Sequence, residues 1–131
     1  MSITFHPATG TLLMCDFNTG FAPPEMVKKR PVVVVSRGRT QIATVVPLST
    51  VEPIPFEAYH YEMSPRSLPK SLRGRRCWAT CDMVVSVALW RLDRILDGKC
   101  PKTGKRQFVA PLISNLDLEH IRKALRARLA L

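Results

Sequence analysis

Nine residues constrain this chain more than any others: Lys28-Lys29-Arg30-Pro31-Val32-Val33-Val34-Val35-Ser36. Four consecutive valines after a proline form an apolar run that suits a short strand buried on both faces, and the run is far too short to span a membrane. The rest of the chain must therefore cover that strand above and below. Arg30 then stands at the mouth of a rigid element, where the fixed backbone angle of Pro31 aims its guanidinium fork out of the sheet. Phosphate or carboxylate matches such a fork best. A solvated cation beside Lys28 and Lys29 fits the same residues.

At 131 residues the chain is long enough to bury a core without metal or disulfide, so residues 1–131 are expected to form one domain. Twenty Lys and Arg against ten Asp and Glu give a net charge of +10, which favours a polyanionic partner. Nucleic acid comes first, ahead of an anionic membrane or an acidic protein. The opening residues carry no basic stretch followed by an apolar one, and no later run reaches spanning length; a cytoplasmic chain that enters no membrane is expected. Cys15, Cys77, Cys81 and Cys100 are expected as free thiols on strands. The Cys77-x-x-x-Cys81 spacing puts both sulfurs on one strand face, no ligand set suggests a metal, and no cofactor is expected.

In chain order, Gly10 to Phe17 predicts a first strand launched from a glycine. Asn18 to Glu25, dense in turn formers, predicts a long loop towards the valine strand. The Arg37-Gly38-Arg39 turn then separates the valines from Gln41 to Val46, as in an antiparallel hairpin. Pro47-Leu48-Ser49-Thr50 ends the second arm, and antiparallel pairing brings that end beside the start of the first, so Ser49 and Thr50 are expected near Arg30.

Pro53 to Glu62, with Phe56, Tyr59 and Tyr61, reads as a further strand. Met63 to Arg76, basic and interrupted by prolines, reads as an exposed loop or a single helical turn, either a solubilising insertion or a phosphate-facing rim. Cys77 to Leu89 alternates as one strand, with Cys77, Ala79, Cys81 and Met83 on one face and Trp78, Thr80, Asp82 and Val84 on the other. Asp82, its lone acid, either anchors a turn or works in a site. Trp90 to Leu96 continues that strand or turns briefly helical, Asp97 to Arg106 reads as a cationic turn, and Gln107 to Val109 as a short strand. Ser114 to Asp117 offer capping groups for a closing amphipathic helix built on Leu118, Ile121, Leu125 and Leu129, with Arg122, Lys123, Arg126 and Arg128 on its polar face. His6, His60 and His120 offer an alternative general base, but none falls beside the Arg30 and Thr50 strand ends, which favours a structural role for each.

Glu25-x-x-x-x-Arg30-Pro31 followed by the valines and Ser36 resembles the MazF/PemK family, the toxins of type II toxin-antitoxin modules. Gly10, Asp16-Phe17, Val46-Pro47-Leu48-Ser49-Thr50, Cys81-Asp82-Met83-Val84 and Arg91-Leu92 follow in the family's order. The resemblance implies a mainly β, SH3-like barrel with a C-terminal amphipathic helix, a homodimer, and a metal-independent endoribonuclease. Such an enzyme cuts single-stranded RNA to a 2′,3′-cyclic phosphate and a 5′-hydroxyl. It also implies an acidic cognate antitoxin, with DNA binding by the pair. By that resemblance Arg30 and Thr50 are the catalytic residues, while Glu25, Lys28, Lys29, Ser49, Asp82 and Arg76 bind substrate. Some members carry an arginine two residues before the aspartate; here that position is Thr80, so a second arginine would have to come from Arg76 or Arg75. The competing readings are a non-catalytic, basic SH3-like module that binds nucleic acid, and an inactive toxin relic.

Overall fold

A computed structural model describes residues 2–38 and 40–131. Strands β1 (Leu12–Asp16), β2 (Lys29–Val34) and β3 (Ile42–Ser49) form an antiparallel meander. Within it the pleat sorts side chains by turns: Leu12, Val33, Val46 and Leu48 enter one apolar cluster, and Leu13, Cys15, Val32, Val34 and Val45 enter the other. Val32, Val33 and Val34 are wholly inaccessible, as a strand covered on both faces requires. Gly10 launches β1 with φ +92°, a conformation that side chains resist. The turn residue Arg39 lies outside the described residues.

Strands β4 (His60–Glu62), β5 (Trp78–Thr80), β6 (Val85–Ala88) and β7 (Leu92–Asp93) complete a seven-stranded sheet in the order β4-β5-β3-β2-β1-β7, with β6 also on β3. β8 (Ile95–Lys99) and β9 (Arg106–Val109) make a separate hairpin. Helices α1 (Lys70–Arg73) and α2 (Asn115–Leu129) complete the fold, which is mainly β with a C-terminal helix.

The single strand expected from Cys77 to Leu89 is instead two strands joined by a helical turn, Cys81–Met83. The cause is that both must pair with β3. Val45 faces Val85, so an unbroken ladder would set Leu48 opposite Asp82, yet Leu48 faces Ala79. The register slips by the three residues of that turn. The alternation holds for buried Cys77, Ala79 and Cys81, then ends, and Asp82 sits on the turn rather than in a strand.

Other expectations shift for similar reasons. Only His60 to Glu62 of the Pro53 to Glu62 segment is a strand, because Pro53 and Pro55 have no N–H to donate to a ladder. Val51, Ile54 and Phe56 are left exposed. The Met63 to Arg76 segment holds two helical turns rather than one, Pro65–Ser67 and α1, and Met63, Ser67 and Leu68 are buried rather than exposed. Trp90 to Leu96 does not extend β6: the brief helical turn is found, ending at Arg91, and β7 then crosses to β1. The expected cationic turn is shorter, since β8 runs to Lys99 and the reversal is closed by Gly104 N–H on the Cys100 carbonyl, 2.8 Å.

Helix α2 begins where expected, with Asp117 N–H donating to Ser114 Oγ, 3.1 Å. Its buried stripe is Asp117, Ile121 and Ala124, one position off the leucines, which leaves Leu129 half exposed. Asp117 is wholly buried, and its carboxylate accepts from Tyr61 OH, from Ser64 N–H at 3.2 Å and from Ser67 Oγ. Burial, then the Asp117 carboxylate, hold the Tyr61 hydroxyl protonated well above the usual tyrosine range. One carboxylate thus ties α2 to β4 and to the turn at Pro65–Ser67.

Candidate active site

Arg30 lies in β2 opposite Cys15 of β1. By alternation it shares the face of Val32 and Val34, and those two pack in the cluster that holds Phe17 and carries Phe21, Met26 and Val85. Its Nε is buried and has no hydrogen-bond partner among the described residues. An orphaned donor of that kind costs on the order of 1–3 kcal/mol, more for a charged group, unless a ligand takes it up.

The β2–β3 ladder pairs Val32 with Pro47; carried two residues further it sets Arg30 opposite Ser49. Ser49 in turn faces Trp78, and Trp78 faces Glu62. One transverse row therefore runs Cys15, Arg30, Ser49, Trp78, Glu62. Ser49 reaches the Arg30 end of the hairpin, as the sequence predicts, although its Oγ also accepts Val51 N–H at 3.1 Å. Thr50 is exposed and lies one residue past the strand, where alternation gives it the opposite face.

Arg76 comes back to the far end of the same row. Its guanidinium lies 4.8 Å over the Trp78 ring and forks onto Glu62 with two bonds of 2.8 Å. Hydrogen bonding from Arg76 holds the Glu62 carboxyl below the usual range. Thr80, at the position of the missing family arginine, donates to the Pro47 carbonyl at 2.8 Å instead.

The loop from Asn18 to Lys28 is closed at its neck by Phe17 N–H on the Lys28 carbonyl, 3.0 Å, and Lys28 there has φ +75°, a strained value for a side chain that branches from Cα. Lys29 follows opposite Asp16. Arg91 holds the loop from below: its Nη1 donates to the carbonyls of Asp16 at 3.1 Å and Thr19 at 2.8 Å, and its guanidinium covers the Phe21 and Trp90 rings at 4.8 and 4.7 Å. A Cβ on Gly20 would stand 3.1 Å from Arg91 Nη2, and Gly20 has φ +81°, so any side chain at this point is strained. Reading the sequence assigned Arg91 no role; nothing local in it announces a partner over seventy residues away.

Between this loop and the Cys81–Met83 turn lies a cavity of about 370 Å³, walled by Phe17, Phe21, Met26, Met83 and Val85 among others. Its ionisable residues are Glu25 and Asp82. Asp82 Oδ1 stands 3.5 Å from His60 Nε2, while His60 Nδ1 accepts Glu57 N–H at 3.0 Å. Nδ1 is thereby the lone-pair nitrogen, which puts the ring proton on Nε2, facing Asp82. The sequence favours a structural His60 over a catalytic one and does not announce its approach to Asp82. The thiols nearby offer no nucleophile, since burial pushes Cys15 and Cys81 up to about 12.

A sequence profile of the family described as PemK-like, MazF-like toxin of type II toxin-antitoxin system matches residues 8–128. The chain belongs to this family. An uncharacterized protein of Haemophilus influenzae is 32% identical to it over 110 residues, 74% of this chain and 77% of that one. Among solved structures, an endoribonuclease in complex with its cognate antitoxin from a mycobacterial species matches with a TM-score of 0.64 at 18% identity, over 96% of this chain and 97% of that one. MazF from Deinococcus radiodurans matches with a TM-score of 0.63 at 17% identity, over 95% and 97%. The fold of this family member is thus the MazF-type, SH3-like arrangement of strands with a closing helix.

Proposed function

We propose that this chain, acting as one domain, is the toxin of a type II toxin-antitoxin module and a metal-independent endoribonuclease for single-stranded RNA. The observation that carries the reading is the buried, unpartnered Nε of Arg30 at a strand end, in a chain of the MazF-like toxin family. In the reaction the 2′-oxygen attacks phosphorus, the bond to the 5′-oxygen breaks, and a proton passes from the first oxygen to the second. The products are a 2′,3′-cyclic phosphate and a 5′-hydroxyl. Arg30 neutralises charge growing on the phosphorane oxygens, and the hydroxyl of Ser49 adds a neutral hydrogen bond. The work of Arg30 there is electrostatic.

Lys28 and Lys29 flank the scissile phosphate, and Arg76, at the other end of the transverse row, binds a neighbouring one. With two inter-strand steps of roughly 4.8 Å between the backbones of Arg30 and Trp78, such a pair matches adjacent phosphates better than a single one. A second copy pairs through exposed Leu112, Leu116 and Leu129, and an acidic antitoxin segment covers the basic cleft. Among the described residues no helix is long and apolar enough to cross a membrane, which fits action in the cytoplasm. The test is to incubate single-stranded RNA with the protein in the presence of a chelator and to analyse the termini. Cyclic phosphate ends are expected; cleavage that the chelator abolishes would overturn the mechanism.

A further inference from the structure

The cavity beside the loop has a chemistry opposite to that of the surface around it. In a chain with twenty cations and ten acids, its ionisable residues are two acids, Glu25 and Asp82, set among apolar walls. A phosphate would be repelled there. Yet Arg30 heads the same sheet face on which those walls rest, since Phe17, Phe21, Met26 and Val85 belong to the cluster of Val32 and Val34. A phosphodiester held at Arg30 therefore has a place for an adjoining group that is flat, largely apolar on its faces, and rich in donors at its edge. A nucleobase has that form.

We propose that this cavity is a base-reading pocket in which Asp82 and Glu25 accept hydrogen bonds from an amino-bearing base; the inference rests on the reading of the chain as an RNA-binding toxin. Phe21, backed edge to face at 5.1 Å by the buried Phe17, and Met83 supply the contact surface. Guanine suits the acceptors best, because N1–H and the N2 amino group stand side by side and match a carboxylate with two bonds. Adenine and cytosine offer one amino group each. Uracil is worst, since its single N3–H lies between two carbonyl oxygens that a carboxylate repels.

His60 is the positioning residue for Asp82. Its ring is nearly buried, its Nδ1 is committed to Glu57 N–H, and its Nε2–H faces the carboxylate across 3.5 Å. Asp82 is thereby kept from swinging out towards the many surface cations. Glu25 has one oxygen 3.4 Å from Ala22 N–H, within its own loop.

The experiment is binding of short 2′-O-methyl oligouridylates in which one base at a time is replaced by guanine, adenine or cytosine; these strands lack the attacking hydroxyl, so affinity is read without cleavage. At one position guanine is expected to bind about tenfold or more tighter than uracil, with adenine and cytosine between. Asp82→Asn, which turns an acceptor oxygen into a donor, should erase that preference. His60→Phe should weaken it and His60→Gln, which keeps a donor, should restore it. Equal affinity for all four bases, a preference that Asp82→Asn leaves unchanged, or a base-blind cavity filled by an apolar peptide side chain would each overturn the inference. A base preference without cleavage of ordinary RNA would leave the pocket standing and sink the enzymatic reading alone.

Discussion

Two charged side chains of this molecule, Asp117 wholly buried and Arg30 partly so, are treated in opposite ways. Around Asp117 the structure brings a tyrosine hydroxyl, a serine hydroxyl and a backbone N–H, so both carboxylate oxygens are occupied. At Arg30 the structure buries Nε and brings that atom no partner among the described residues. Both arrangements restrict a charge; the first does so for the sake of α2 and β4, the second keeps a donor open. A satisfied buried charge marks architecture, and an unsatisfied one marks the place where a ligand completes the structure.

That contrast is easily tested. Arg30→Ala should lower cleavage by about a hundredfold or more, corresponding to roughly 2.7–4 kcal/mol of transition-state stabilisation, while the melting curve barely moves. Full activity in the variant would place the chemistry elsewhere. Asp117→Ala should do the reverse, losing on the order of 3 kcal/mol in denaturant titrations because three donors are stranded, with the folded fraction still active. An unchanged midpoint would show that the knot is incidental.

A finer probe is Tyr61→Phe. Folding raises the Tyr61 hydroxyl above its usual value of 10, so its contribution to stability is complete below that pH and is lost as the pH climbs beyond it. The variant should lose about 1 kcal/mol near neutrality and show a shallower alkaline decline than the wild type in melts at rising pH. The smallest effect concerns the thiols. Alkylation of the native protein at neutral pH should modify Cys100, whose pKa is lowered by hydrogen bonds at Thr103, and spare the buried Cys15 and Cys81. Rapid labelling of either buried thiol would reveal opening of the core.

The valine strand, the hairpin, the long loop and the closing helix were legible in the sequence because each rests on local pattern: a β-branched run, a turn at the right spacing, a serine cap. The two-strand nature of Cys77 to Leu89 was not, because the slip between β5 and β6 answers to β3, more than thirty residues earlier. The site divides along the same line. Arg30 and Ser49 follow from pairing within one hairpin. The approach of Asp82 to His60, the reach of Arg91 to Asp16 and Thr19, and the fork of Arg76 onto Glu62 depend on non-local closure, for which residue type at a given position carries no signal.

Strand β3 has β2 along one edge and both β5 and β6 along the other. In kinetic terms that makes the β2–β3 hairpin the template on which slower, non-local docking must wait, because closing a short turn costs far less chain entropy than recruiting strands from beyond residue 77. Truncating Val33 or Val46 should then slow refolding in proportion to the stability lost, whereas truncating Val87 should act mainly by accelerating unfolding.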